Sequence, residues 1–280
     1  MLRASRIRRV VLVVMDGLRA EAVRRLKLET LLGLAAEGAA TFNATTVQPS
    51  VTAAAMTSLV TGVSPYVHGV GTRGFGVPRN LHRLEPITRL LRAEGIPTSA
   101  FFGAIPPRYK LLAAGLKAYS GAEAVHFRGE SSTEIVDLGK HDIRKTRDGL
   151  IFMHWPEADR AGHAHGWHSP QYEGMARQMD TSLGALCEIL EIGNGETLLI
   201  VCSDHGGGGV CPTDHESAHP DDVTIPLVMY GGGVSRAELG NDVSLLDIPP
   251  TILWSLGVES PESYHGRPLQ RAFRREVRAA

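Results

Sequence analysis

The stretch Arg9-Val10-Val11-Leu12-Val13-Val14-Met15-Asp16-Gly17 decides the fold. Its apolar run is only a strand's length, uninterrupted and mostly β-branched, as in strands buried on both faces. It stops at Asp16-Gly17, and a helix is predicted over Ala20 to Ala36. Gly149–His154 is another such buried run, and strands are also predicted at Pro97–Phe102, Thr197–Cys202 and Thr224–Tyr230. An extended segment from Ala40 to Val47 leads to Gln48-Pro49-Ser50-Val51, where Pro49 marks a turn.

Helices are predicted between these runs. Thr52 opens an Ala-rich one that stops at Thr61-Gly62; Leu84–Ala93 and Thr133–Arg147 follow. The clearest carries Tyr172, Met175, Met179, Leu183, Leu186 and Leu190 at three- and four-residue spacing on one apolar face. Asp247–Leu256 has its two prolines in the first turn, where they are tolerated. Gly62–Arg79 reads as a Gly- and Pro-rich loop, and Gly103–Glu130 as a loop with short elements. Alternation of strand and helix implies a three-layer α/β/α sandwich with a mostly parallel central sheet. Ligands of such sheets bind outside the carboxyl ends of the strands.

Composition narrows the class. With 280 residues the chain can bury a substantial core without disulfides. Its formal net charge of -1 gives no bulk pull toward nucleic acid or membrane. Arg3, Arg6, Arg8 and Arg9 at one end, and Arg271, Arg274, Arg275 and Arg278 at the other, read as solvated tails. Cys187, Cys202 and Cys211 are odd in number and lack CxxC spacing, which argues against a disulfide framework or zinc knot. No run is long enough to span a membrane, and the first apolar run is too short for a signal peptide. A cytoplasmic location is the default expectation. The unusual count is 12 histidines, many beside Asp and Gly.

The chemistry-bearing residues fall after the strands. Asp16 follows the first. Asp159 and His163, in Asp-Arg-Ala-Gly-His, are expected in a polar loop after the Gly149–His154 strand. Asp204 and His205, in Ser-Asp-His-Gly-Gly, follow Cys202, and His215 lies in the next loop. Alone, Asp16 is as readily a helix cap and an Asp-His pair a surface turn. Together they are hard to explain as separate caps. Imidazole suits zinc and iron; carboxylate suits magnesium, manganese and zinc. Three Asp and three His exceed one four-coordinate site, and two ions about 4 Å apart are a standard clamp for phosphoryl chemistry. Thr52 alone reads as a helix cap. At a helix start beside metals, its hydroxyl sits where an anion binds and where a proton can be removed.

These residues resemble the alkaline phosphatase superfamily, and most nearly its type I phosphodiesterase/nucleotide pyrophosphatase branch. The resemblance rests on VVLVVMDGLR (Val10–Arg19), QPSVTAAAMTSLVTGVSPYVHGV (Gln48–Val70), ADRAGHAHG (Ala158–Gly166), SDHGGGG (Ser203–Gly209), HESAHPDDVTIPLVMYGGGV (His215–Val234), and LLDIPPTILWSLGV with GRPL near the end. It covers most of the chain except roughly Gly103 to Glu130. Pro49 and Thr52 stand before Thr61-Gly62 at the family's nucleophile spacing. The resemblance implies one catalytic domain over residues 1–280, without a large cap insertion. It implies two divalent ions, zinc first, with manganese or iron as alternatives. One would be held by Asp159, His163 and His215, the other by Asp16, Asp204, His205 and the oxygen of Thr52. Thr52 would attack phosphorus, and water would hydrolyse the phospho-threonine.

The sequence departs from the pattern in places. Ala55 stands where family phosphodiesterases often carry a phosphoryl-contacting Asn; Arg73 is a candidate replacement. His215 stands 11 residues before Pro226, the expected spacing, but His219 is near enough to compete. His165 and His168 read as loop or supporting residues, His68 as structural, and Asp247 as a helix cap. The expected substrate is a small-molecule phosphate ester or nucleotide-like compound, with no nucleic acid or membrane. A sulfatase or phosphonate hydrolase of the same superfamily is an alternative, although no Cys/Ser-x-Pro-x-Arg segment occurs. A phosphomutase would require a larger inserted domain. A non-catalytic metal-binding protein is the alternative of another class.

Overall fold

Along the first strand, Val10, Leu12 and Val14 pack into one apolar cluster, while Val11, Val13 and Met15 pack into another. A strand sends successive side chains to opposite faces, so this one run of apolar residues holds two helical layers on one sheet. The computed structural model describes residues 7–71, 76–105, 107–192 and 195–274. The described residues form an eight-stranded sheet. Its strands are β1 (Arg9–Met15), β2 (Ala39–Thr45), β3 (Thr98–Phe102), β4 (Ala124–Phe127), β5 (Gly149–Trp155), β6 (Thr197–Cys202), β7 (Thr224–Gly231) and β8 (Ala237–Glu238). The order is β4-β3-β5-β1-β6-β7-β2-β8. Only β7 runs antiparallel to its neighbours; the mostly parallel sheet expected from the alternation is present.

The helices in chain order are α1 (Ala20–Arg25), α2 (Glu29–Glu37), α3 (Thr52–Thr61), α4 (Pro65–His68), α5 (Ile87–Ala93), α6 (Lys110–Ser120), α7 (Ser132–Lys145), α8 (Glu157–His165), α9 (Pro170–Leu190), α10 (Pro220–Val223) and α11 (Ile248–Ser255). Residues of α3, α5 and α11 share the cluster on one face of the sheet. Those of α1, α2, α7, α8 and α9 share the cluster on the other. Among the described residues, no helix is long and apolar enough to cross a membrane.

Several expectations need correction. The helix expected over Ala20 to Ala36 is two helices, broken where Lys27 takes a positive φ of 52°. The kink lets both Leu26 and Leu28 be buried. The Gly103–Glu130 stretch holds a three-turn helix, α6, and an edge strand, β4. Asp159 and His163 lie on helix α8, not in a loop. Met175 departs from the apolar face expected of α9 and is exposed to solvent. Arg9 is no solvated tail: its guanidinium is buried and donates to Ile143 O, Thr146 O, Leu190 O and Thr197 Oγ1 at 2.8–3.2 Å. Arg3, Arg6, Arg275 and Arg278 lie outside the described residues.

Candidate metal centre

Adjacent parallel strands β5, β1 and β6 deliver the site at their carboxyl ends. Asp16 follows β1 directly, and Asp204 and His205 follow β6. All three are buried, at 4%, 0% and 0% exposure. Asp16 caps no helix: Arg19 holds the cap position of α1. Asp204 Oδ1 accepts from Gly17 N (3.2 Å) and His205 N (3.0 Å), which fixes the carboxylate. Helix α8 comes close because residue 17 is glycine. Its φ is +73°, and a Cβ there would stand 2.9 Å from the Asp159 Cα. Asp159 N donates to Asp16 O (3.0 Å), joining the two segments. One turn of α8 then puts Asp159 and His163 on one side, at helical i,i+4 spacing.

The histidines are held in one tautomer. His205 Nδ1 donates to Gly206 O (2.8 Å), His163 Nδ1 to Thr213 O (2.9 Å) and His215 Nδ1 to Ser50 O (2.6 Å). A carbonyl oxygen only accepts, so each Nδ1 carries a proton and Nε2 is the nitrogen each ring turns toward the site. This is the usual support of a metal-ligating histidine. The His163 and His215 Nε2 atoms lie 3.1 Å apart, and stand 3.4 Å and 3.6 Å from Asp159 Oδ1. Tetrahedral ligands on bonds of about 2.0–2.1 Å would be about 3.3 Å apart, so this triangle fits a zinc-sized ion.

A second group adjoins the first. His205 Nε2 lies 3.2 Å from Asp16 Oδ1, 3.5 Å from Asp204 Oδ2 and 3.1 Å from Thr52 Oγ1. Buried Asp16 Oδ1, Asp159 Oδ1 and Asp204 Oδ2 have no hydrogen-bond partner. Such atoms are costly unless something else satisfies them. Carboxylates and imidazoles without thiolate fit zinc, manganese or iron.

Thr52 is the first residue of α3, but its side chain is not the cap; Val51 holds that position. Its hydroxyl turns to His205 instead. Ser50, two residues earlier, donates through Oγ to His215 O (2.5 Å), so the segment leading into α3 is tied to the loop carrying His215.

The electrostatics are those of three carboxylates and several imidazoles packed together out of water. Burial, with repulsion from Asp16, pushes Asp159 up to about 6 and Asp204 up to about 7. Burial opposes charge on His205, but Asp204 and Asp16 prevail and raise it to about 10. Burial and the neighbouring His205 lower His215 to about 3. Asp16 moves below the usual carboxylate range: burial works against this, and His154 and His205 overcome it.

The structure thus brings Asp16, Thr52, Asp159, His163, Asp204, His205 and His215 together. His219 is not with them; its Nδ1 accepts from Asp221 N at the start of α10. His168 bonds Arg19 (2.9 Å), and His68 is buried against Ser58 (3.0 Å). Asp247 Oδ2 accepts from Ser244 N in a capping box. Ala55 is fully buried in the core and offers no donor. Arg73 lies outside the described residues.

Two residues were missed from sequence. Trp167 donates Nε1 to Gly17 O (2.9 Å) and sets its ring edge-on to His163 and His215. A lone Trp in a polar stretch gave no periodic signal. His154, the penultimate residue of β5, places Nε2 3.1 Å from Asp16 Oδ2. Strand parity could have found it, since it shares a side with Leu150 and Phe152, the face carrying α3.

The family model for type I phosphodiesterase / nucleotide pyrophosphatase matches residues 10–227. The 2,3-bisphosphoglycerate-independent phosphoglycerate mutase of Shewanella pealeana is 31% identical over 143 residues, 50% of this chain. The matched stretch spans about a quarter of the mutase, 26% of its length. The phosphonate monoester hydrolase from Silicibacter pomeroyi shares the fold at TM-score 0.73 and 17% identity, over 94% of this chain and 76% of that one. Murine ectonucleotide pyrophosphatase / phosphodiesterase 5, solved as an inactive variant with AMP, does so at TM-score 0.75 and 15% identity, over 95% and 100%. The architecture is alkaline-phosphatase-like. With the family model matching from β1 into β7, well over half of the chain, the chain belongs to the type I phosphodiesterase / nucleotide pyrophosphatase family.

Proposed function

We propose that this protein is a two-metal hydrolase of phosphorus esters, of phosphodiesterase, pyrophosphatase or phosphatase type, with Thr52 as nucleophile. One observation carries the reading: three histidines locked by carbonyls at Nδ1 turn Nε2 toward three orphaned carboxylate oxygens, with the Thr52 hydroxyl 3.1 Å from His205 Nε2. Asp159, His163 and His215 would hold one ion; Asp16, Asp204, His205 and the Thr52 oxygen would hold the other. When bound, the ions supply Lewis acidity at the phosphoryl group and lower the pKa of coordinated hydroxyl groups.

The chain's own residues do the rest. The first turn of α3 presents Thr52 Oγ1 with backbone N–H groups behind it, a position suited to a phosphoryl group. Thr52 Oγ1 gives up its proton to solvent and attacks phosphorus in line as the bond to the leaving oxygen breaks, and that oxygen departs with the electron pair and takes a proton from solvent. Water then attacks the phospho-threonine, and the Thr52 hydroxyl is restored. Proximity and orientation are set by the bonds of Ser50 and His215 that fix the entry to α3. The substrate proposed is a small phosphate ester or nucleotide-like compound, and the domain acts without a large cap.

The test is a screen of p-nitrophenyl phosphate, bis-p-nitrophenyl phosphate and a nucleotide pyrophosphate with zinc, manganese or iron(II). Turnover should require metal, vanish with chelator, and fall at least ~10³-fold in Thr52→Ala. Full activity in Thr52→Ala would remove the nucleophile assignment. A metal-loaded protein inert on all three substrates would support a non-catalytic metal-binding protein.

A further inference from the structure

The two ligand sets named above leave out the buried imidazole of His154, which lies beside them. His154 lies on β5 level with Val14 of β1, two residues before the position of Asp16. Val14 is also level with Cys202 of β6, so counting on by two sets Asp16 beside Asp204. On three adjacent strands the same parity therefore puts His154, Asp16 and Asp204 on the face that carries α3. Single ligand atoms from these three residues all lie within 4.8 Å of one another.

The contact between His154 and Asp16 has the wrong shape for a hydrogen bond. Nε2 is 3.1 Å from Asp16 Oδ2, yet this buried nitrogen has no hydrogen-bond partner. An Nε2–H donor to that oxygen would point at it. Asp204 uses Oδ1 for two backbone donors, and its Oδ2 is left without one. Asp16 meets His205 through Oδ1 and His154 through Oδ2. The ring of His154 lies beside Phe102, at 6.2 Å between centroids. A histidine buried for structural reasons is normally hydrogen-bonded; this one converges with two carboxylates on a shared point.

We propose that His154 is a metal ligand of this protein, joining Asp16 and Asp204 on the second ion through Nε2. The proposal rests on the two-metal reading above and adds to it. It gives that ion two imidazoles beside its carboxylates, which favours zinc or iron over magnesium.

The experiment uses ¹⁵N-labelled full-length protein, stripped by chelator and titrated with Zn²⁺, followed by long-range ¹H–¹⁵N imidazole spectra and by calorimetry. Two equivalents of zinc are expected to bind. Nε2 of His154 should then shift together with Nε2 of His163, His205 and His215 and carry no directly bonded proton. His154→Gln should weaken one equivalent by about 10–100-fold and leave the other unchanged. A ring proton that stays on His154 Nε2 at two equivalents overturns ligation and makes the residue a donor to Asp16. Failure to bind two equivalents overturns the two-metal reading, and this proposal with it. The wild-type spectra decide the point even if His154→Gln does not fold.

Discussion

The two ends of β1 each bury a charge. At the amino end, Arg9 is 5% exposed and its donors go to three backbone carbonyls and the Thr197 hydroxyl. At the carboxyl end, Asp16 is 4% exposed, yet Oδ1 has no hydrogen bond, and neighbouring Asp159 and Asp204 each leave an oxygen in the same state. The strand is the same and the burial is the same. What differs is completion. The protein supplies every partner around Arg9, and supplies no hydrogen bond to these three carboxylate oxygens. A buried charge that the chain satisfies is architecture; one that it orients and leaves open is a site.

The largest effect expected from this contrast is at Asp204. Asp204→Asn keeps an oxygen for Gly17 N and His205 N and changes only the orphaned atom. Turnover on the best ester should fall ~10³-fold or more, and zinc should bind one site more weakly. The metal-free protein should meanwhile gain about 1–2 kcal/mol, because a buried anion beside Asp16 is gone. Calorimetry of chelator-stripped protein checks this. A destabilised metal-free Asp204→Asn would mean that the carboxylate is structural, and the contrast between the two ends would break.

Arg9→Met is the converse. It strips donors from the carbonyls of Ile143, Thr146 and Leu190, and should cost about 2–4 kcal/mol in a urea melt. Zinc affinity and kcat/KM should stay within about twofold of wild type. A loss of metal affinity in this variant would show that the two ends are coupled along β1.

The same contrast explains what the sequence disclosed. Strands β1, β5 and β6 were legible because both faces are buried, so their residues form mostly apolar runs of a strand's length. Helix α9 was legible because one face is apolar. Asp16, Asp204 and His205 stand just after β1 and β6, as expected of the end of a parallel sheet where ligands bind. Helix α8 was misread as loop because the face it turns to the site is Asp159 and His163, and much of its buried side is Ala and Gly. Edge strand β4, half-exposed throughout, had no pattern to read. Arg9 looked like one more tail arginine, since its acceptors are carbonyls far away in sequence. His154 was hidden inside a strand, where a polar residue breaks no apolar rhythm until its neighbours across the sheet are known.

The smallest effect separates the two ends by pH. In the metal-free protein His205 is held up to about 10, chiefly by Asp204 and Asp16 against the opposing effect of burial. Between about 6.5, the ordinary histidine value, and 10 the folded state therefore carries more protons than the unfolded one. Stability follows the unfolded-minus-folded proton count, so it is present below this window and is lost as pH rises through it. His154, raised by Asp16 against burial, acts in the same direction. Below the window, burial lifts Asp159 and Asp204 to about 6 and 7, which makes stability fall with pH, while His215 at about 3 makes it rise. That limb is flattened. Chelator-stripped protein should thus show a Tm that falls by several degrees from pH 6.5 to 10. Zinc should remove most of the slope, because ligation needs the Nε2 lone pair that the proton would occupy. A slope unchanged by zinc would place the titrating group away from Asp16 and its partners, and the open end of β1 would then not be where the metal-free protein stores its excess charge.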